Sequence, residues 1–145
     1  MAITTNAICN TFKKELLEAK HNFSNPGGNT FKLAMYTNSA TLGKSTTSFT
    51  TGNEVSSPAG YSSGGKALVN TGTSVASDTA ITDFSDLSFT GVTLTARGAL
   101  IYNDTATGDP AVAVLDFGGD KTATAGTFTI QFPAFTTSAA ILRIA

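Results

Sequence analysis

Few side chains in this sequence can do chemistry, and their spacing limits what they can do. His21 is the only histidine and Cys9 the only cysteine among 145 residues. Paired-histidine catalysis and histidine-rich metal sites are thereby excluded. A Ser-His-Asp arrangement can be built only through His21, which falls near the end of a predicted helix, where a cation suits the helix dipole. Ser62-Ser63-Gly64-Gly65 is not a Gly-x-Ser-x-Gly elbow, and Gly43-Lys44-Ser45 lacks the upstream glycine of a phosphate-binding loop. The acids gather at Asp78, Asp83 and Asp86, at Asp104 and Asp109 around one turn, and at Asp116 and Asp120 around Gly118-Gly119. Oxygen-rich turns can hold Ca²⁺, but none of these has the spaced loop that ends in a bidentate Glu. The simpler reading is that each Asp bonds its own backbone in a turn. Asp116-Phe117-Gly118 copies three letters of a kinase signature, without any other kinase motif around it. Cys9 has no adjacent histidine to lower its pKa and reads as a small buried apolar residue. Arg97 lies inside an apolar strand and must be paired or lie at an interface. No catalytic, cofactor-binding or metal-ligating residue is assigned, and the expectation is a protein that is not an enzyme and needs no cofactor.

The elements that would position these residues change character after the first twenty or so positions. Ile8, Phe12, Leu16, Ala19 and Phe23 recur at helical steps, with Lys13, Lys14, Glu15 and Glu18 largely off that stripe. The spacing predicts one helix over about residues 5–22, capped by Thr4, Thr5 or Asn6 and closed by Asn25-Pro26-Gly27-Gly28. The period then becomes two. Phe31, Leu33 and Met35 alternate with Lys32, Ala34 and Tyr36 in a strand over 30–37. Residues 38–65 are rich in Ser, Thr, Gly and Asn and read as a long surface loop containing Pro58 and anchored by Val55 and Tyr61.

Lys66–Val75 reads as a strand carrying Ala67, Val69 and Val75. Leu87 to Tyr102 is extended, with a bulge or bend at Gly91 and a close backbone approach at Gly98. A turn cluster over Asn103–Pro110 leads into an apolar strand, Ala111–Phe117, followed by a turn at Gly118-Gly119-Asp120. Phe128, Ile130 and Phe132 alternate with Thr127, Thr129 and Gln131 until Pro133, and Ala140–Ile144 is a short terminal strand. The predicted core is Phe31, Leu33, Met35, Leu94, Leu100, Val112, Val114, Phe128, Ile130 and Phe132. Seven or eight short strands and one helix favour a single all-β domain over 1–145. Residues 1–28 would form the N-terminal α-helix and its turn, and 29–145 an antiparallel β-sandwich or jelly roll.

Composition agrees with the period. The sequence holds 25 Thr and 13 Ser, only 13% charged residues and no Trp. Thr suits exposed strand faces. A net charge of -1 argues against nucleic acid as a partner. No apolar run is long enough for a membrane-spanning helix, and Met1–Asn10 lacks the basic start and apolar stretch of a signal peptide. The expectation is a protein made in a cytoplasm that folds without disulfides.

Several segments resemble small virion structural proteins of tailed bacteriophages. They are Phe31-Lys32-Leu33-Ala34-Met35-Tyr36-Thr37 with Ser39-Ala40-Thr41-Leu42-Gly43, Thr50-Thr51-Gly52-Asn53-Glu54-Val55, and Gly60-Tyr61 with Gly64-Gly65. Leu94-Thr95-Ala96-Arg97-Gly98-Ala99 and Val114-Leu115-Asp116-Phe117-Gly118-Gly119 belong to the same pattern. The similarity runs over most of the chain after residue 30. The resemblance implies a capsid decoration (cement) protein at the virion surface, made in the host cytoplasm. It implies the major capsid protein as partner, a jelly-roll fold and a homotrimer, with neither nucleic acid nor membrane bound. The long 38–65 loop and the N-terminal helix are the candidate contact elements. A tail or neck component remains an alternative within the same class. A carbohydrate-binding sandwich remains one outside it; sugars stack on exposed aromatics, and Tyr36, Tyr61 and Tyr102 are the only Tyr candidates for that role.

Overall fold

A computed structural model describes residues 3–56 and 59–145. Within them the chain is an all-β sandwich with one short helix. The elements are β1 (Ala7–Ile8), α1 (Asn10–Leu17), β2 (Phe31–Tyr36), β3 (Lys66–Ala67), β4 (Asn70–Ala76), β5 (Thr79–Phe84), β6 (Leu87–Asn103), β7 (Ala111–Ile130) and β8 (Leu142–Ile144). Five strands form one antiparallel sheet in the order β1-β7-β6-β2-β3, and three form a second in the order β4-β5-β8.

The predicted strand at 30–37 is β2. It lies between β6 and β3, so both of its edges are paired, and both of its faces are covered, since Ala34 and Tyr36 are as buried as Phe31, Leu33 and Met35. The sheets meet through aromatic rings. Phe23 stacks on Phe31 at 4.3 Å between centroids, and Phe84 of β5 lies 6.0 Å from Phe31 and 5.6 Å from Phe132. One hydrophobic cluster takes in both sheets and Phe12 of α1. Eight of the ten predicted core residues are buried in it, while Phe128 and Phe132 pack against it half-buried. The anchors Val55 and Tyr61 of the long loop are buried as predicted; Pro58 lies outside the described residues.

The helix is shorter than its apolar stripe. It spans Asn10–Leu17 rather than 5–22. At its start, Ala7 and Ile8 gain more by pairing with Val114 and Ala113 on the edge of β7 than by a further helical turn. The N-cap is Cys9, without a side-chain cap bond, and not Thr4, Thr5 or Asn6. At the other end Ala19 takes a left-handed conformation (φ 56°). The Lys20 N–H then bonds the Glu15 carbonyl and the Ala19 N–H the Leu16 carbonyl. This Schellman closure ends the helix before the Asn25–Gly28 turn is reached.

Three further departures have local causes. The predicted strand Lys66–Val75 is two strands, because the chain leaves the first sheet after Ala67 and enters the second at Asn70. Leu68 fills the core at this crossing, while Val69 and Val75 face outward, 62% and 69% exposed. Strand β5 was not predicted; it is joined to β4 through Ser77-Asp78, with Ser77 at φ 53°, a hairpin turn without the Asn-Gly or Asp-Gly signal. Gly118-Gly119 is no turn. Strand β7 runs through it as a bulge, with Gly118 at φ 78°. From Gly98↔Asp116 to Ala96↔Lys121, β6 advances two residues and β7 five. The predicted close approach at Gly98 is present: a Cβ there would meet the Leu115 carbonyl and lie 2.7 Å from Ile3 Cδ1.

Candidate functional site

The side chains singled out for their chemistry are spread over the fold and mostly serve it. Cys9 is buried, and burial, with Glu15 nearby, pushes its thiol up to about 11. It is a packed apolar residue, as expected. Arg97 pairs with Asp116, also as expected, and the pair is about five-sixths buried. The Gly118 N–H and the Arg97 guanidinium hold the Asp116 carboxyl below the usual carboxylate range. Asp120 accepts a bond from the Asn38 amide, Asp104 pairs with Lys32 at 3.1 Å, and Asp86 accepts the Phe132 N–H. Asp83 is buried in β5; one oxygen accepts the Phe84 N–H, and burial raises its pKa. Among the described residues no three His, Cys, Asp or Glu side chains gather in a way that could hold a metal ion. Gly43-Lys44-Ser45 and Ser62–Gly65 are backbone turns, closed by Thr46 N–H to the Gly43 carbonyl and Gly65 N–H to the Ser62 carbonyl.

His21 is not at the helix end. It lies beyond the Schellman turn with its side chain fully buried, 4.8 Å from the Phe12 ring and 6.3 Å from the Phe31 ring. Its Nδ1 is 3.1 Å from Asn103 Nδ2, and its Nε2 is 3.6 Å from Glu15 Oε1. The tautomer follows from Asn103. The Asn103 Oδ1 accepts the N–H groups of Thr105 and Ala106, so Nδ2 must face His21 and Asn29 Oδ1 as donor. The Nδ1 is therefore the acceptor, and the proton sits on Nε2, toward Glu15. Glu15 is held in turn by Lys20 at 2.8 Å. This buried group ties the N-terminal segment to the end of β6.

Burial lowers the His21 pKa, against the opposing pull of Glu15. The unfolded chain then binds a proton more readily than the folded one near the unfolded value of about 6.5. Stability from this group is complete above that value and is lost as pH falls through the folded pKa. The expected result is a urea midpoint that drops between pH 7.5 and pH 5.5, with the drop much reduced in His21→Gln. An equal drop in both proteins would remove His21 from the account.

The long loop is pinned from below by tyrosines. The Tyr61 hydroxyl accepts the Met35 N–H and donates to Glu54, which also accepts from Ser63 Oγ and the Gly64 N–H. Tyr36 donates to the Thr50 carbonyl and Tyr102 to the Gly64 carbonyl, with Phe49 stacked on Tyr102 at 4.6 Å. All three Tyr rings are buried, at 0%, 4% and 2% exposure for Tyr36, Tyr61 and Tyr102. None of them is placed to stack on a sugar. Burial raises all three hydroxyl pKa values, that of Tyr36 to about 12.

What the surface offers is hydroxyls and a few apolar side chains. Ser88 meets Thr129 at 2.9 Å and Thr95 meets Thr122 at 2.8 Å across the exposed side of β6 and β7. On the second sheet Val75, Ala80 and Ile144 are cross-strand partners in one row, all exposed. The row lies beside an apolar groove between α1 and this sheet, lined by Phe12, Leu16, Phe23, Ile81, Ile141 and Leu142. A second groove follows β7 between β1 and the C-terminal segment, with Phe117, Phe128 and Ile130 in its wall. The arrangement suits association with another protein surface.

Glu15, Glu54 and Asn103 hold these elements in place, and the sequence did not single out any of them for that role. Asn103 meets His21 and Asn29 from far along the chain, while Glu15 and Glu54 meet nearby residues in irregular segments that carry no periodic signal. The neighbouring turn residues 104–110 alone hinted that Asn103 caps a loop. No family model matches the chain, no curated protein matches it, and no solved structure matches it.

Proposed function

We propose that this chain is a virion structural protein, a capsid decoration protein that binds across neighbouring capsid subunits and stabilises the mature bacteriophage head. The segments that resemble small virion proteins suggest this class. The observation that carries the reading is the exposed row Val75–Ala80–Ile144 beside the apolar groove at α1. Exposed apolar side chains grouped beside a groove mark a protein contact. The hydroxyl-coated strands around them suit a wet rim, with little charge to repel a neighbour. A protein that binds only the assembled shell shifts assembly by mass action, and many such contacts on one particle add avidity. The major capsid protein is the partner in this reading. No described helix is long and apolar enough to cross a membrane.

The test is binding of the purified protein to expanded empty heads of the source phage, followed by electron microscopy. Density at repeated positions on the head, with heads that resist higher temperature, is the expected result. Density confined to the tail or neck would replace the decoration reading with a tail component.

A further inference from the structure

We infer that the outer edge of β7 over Thr122–Thr129 pairs with the same edge of a second copy of this chain, antiparallel and about a twofold axis. Three observations lead there.

The first is that the edge is open. Strand β1 and Cys9 cover β7 at Val112, Ala113 and Val114, and the Asn6 side chain caps the Asp116 N–H. Beyond that point no described strand pairs with β7 on the side away from β6. Strand β1 also shows that this edge accepts an antiparallel strand.

The second is that the edge carries neither charge nor proline over residues 122–130, the bulge at Ala125 being its one interruption. Exposed edges are ordinarily blunted by such residues, Lys above all. A neutral edge meets its own copy without like-charge repulsion.

The third is self-complementarity, and it selects a second copy over other occupants. Ala125 at φ 44° interrupts the alternation of β7. Thr122 and Thr124 before it, and Thr127 and Thr129 after it, are exposed; Ala123 and Phe128 turn to the inner side. An axis between Ala125 and Gly126 sets Thr122 opposite Thr129, Thr124 opposite Thr127, and Ala123 opposite Phe128. Every one of these pairs falls on a single face. Threonine meets threonine outside, and a small residue meets a large one inside. The bulge lies on the axis, so a twofold leaves the register of both flanks unchanged. Thr122 and Thr129 already share hydroxyl bonds with β6, and each hydroxyl retains acceptor capacity for a further neighbour. Strand addition of this kind draws affinity from main-chain bonds and specificity from alternate side chains.

The inference is independent of the decoration reading, since it concerns the free protein in solution, and it departs from the homotrimer that the resemblance implies. Sedimentation velocity over the micromolar range tests it with two double variants. Thr124→Lys with Thr127→Lys places lysine opposite lysine; Thr124→Lys with Thr127→Glu places lysine opposite glutamate. The native protein is expected to be a concentration-dependent dimer. The Lys/Lys variant is expected to dissociate at least roughly tenfold more readily, and the Lys/Glu variant to remain dimeric. A native monomer throughout the range overturns the inference. So does an oligomer indifferent to the lysines, or equal loss in both variants. Failure here leaves head binding untouched, and the Lys/Lys variant assayed on heads separates the two claims.

Discussion

Gly65→Ala prevents the chain from folding. Gly65 sits at φ 77°, and a Cβ there would collide with the Leu33 carbonyl, 2.6 Å from its carbon and 2.8 Å from Ala34 Cα. Both obstacles are backbone atoms of β2, the strand covered on both faces, so neither can swing aside. Left-handed strain adds to the collision. A loss of more than about 4 kcal/mol, enough to unfold a domain of this size, is the expected effect. The measurement is soluble yield and circular dichroism beside Gly52→Ala, where a Cβ meets nothing within 4 Å and a change within about 0.5 kcal/mol is expected. A folded Gly65→Ala protein with a native urea midpoint would show that the long loop can lift off β2.

The second large effect is expected at Asn103. Its side chain is fully buried and meets four partners: His21, Asn29 and the N–H groups of Thr105 and Ala106. Asn103→Ala unpairs the buried His21 and the part-buried groups of Asn29, Thr105 and Ala106 at once, a buried group being worth about 1–3 kcal/mol when left unpaired. A total near 4 kcal/mol follows, allowing for partial entry of water, with a melting temperature lower by about 10 °C. Asn103→Asp separates the roles. It keeps the acceptor for Thr105 and Ala106 but sets a carboxylate against the lone pair of His21 Nδ1, so protonating His21 becomes favourable. Its stability is therefore expected to recover as pH falls through the raised His21 pKa and to be fully recovered by about pH 6.5, opposite to the native trend. Thermal melts at pH 7.5 and pH 5.5 check both variants.

How much of this was legible in the sequence depends on how local its cause is. Strand β2, the bulge at Gly91 (φ 62°, where β6 shifts register against β7), the approach at Gly98 and the pairing of Arg97 could be read because alternation, a glycine or a charge in an apolar run reports its own surroundings. The helix was overextended because Ile8 continues the stripe in sequence while pairing with a strand over a hundred residues away. Gly118-Gly119 carries a turn composition, yet β6 alongside carries it through as a bulge. His21 was assigned to a helix end because its partner Asn103 lies 82 positions further on. Glu54 was hidden for another reason: its partners Tyr61, Ser63 and Gly64 are near it in sequence but converge on it only when the irregular loop folds back on β2. The surface reading rests on cross-strand neighbours such as Val75 and Ile144, which no local pattern brings together.

The pairing of β1 with β7 also sets an order of events. Ala7 and Ile8 find their places against Val114 and Ala113, and Asn6 against Asp116. A chain emerging from a ribosome therefore makes its first segment long before the surface that receives it. Closing so large a loop is slow, and the first thirty residues must wait with Phe12 and Phe23 uncovered. The long β6–β7 hairpin, whose turn spans only 104–110, can close early and locally. The beginning of the sequence is thus expected to settle last, with His21 meeting Asn103 on its arrival.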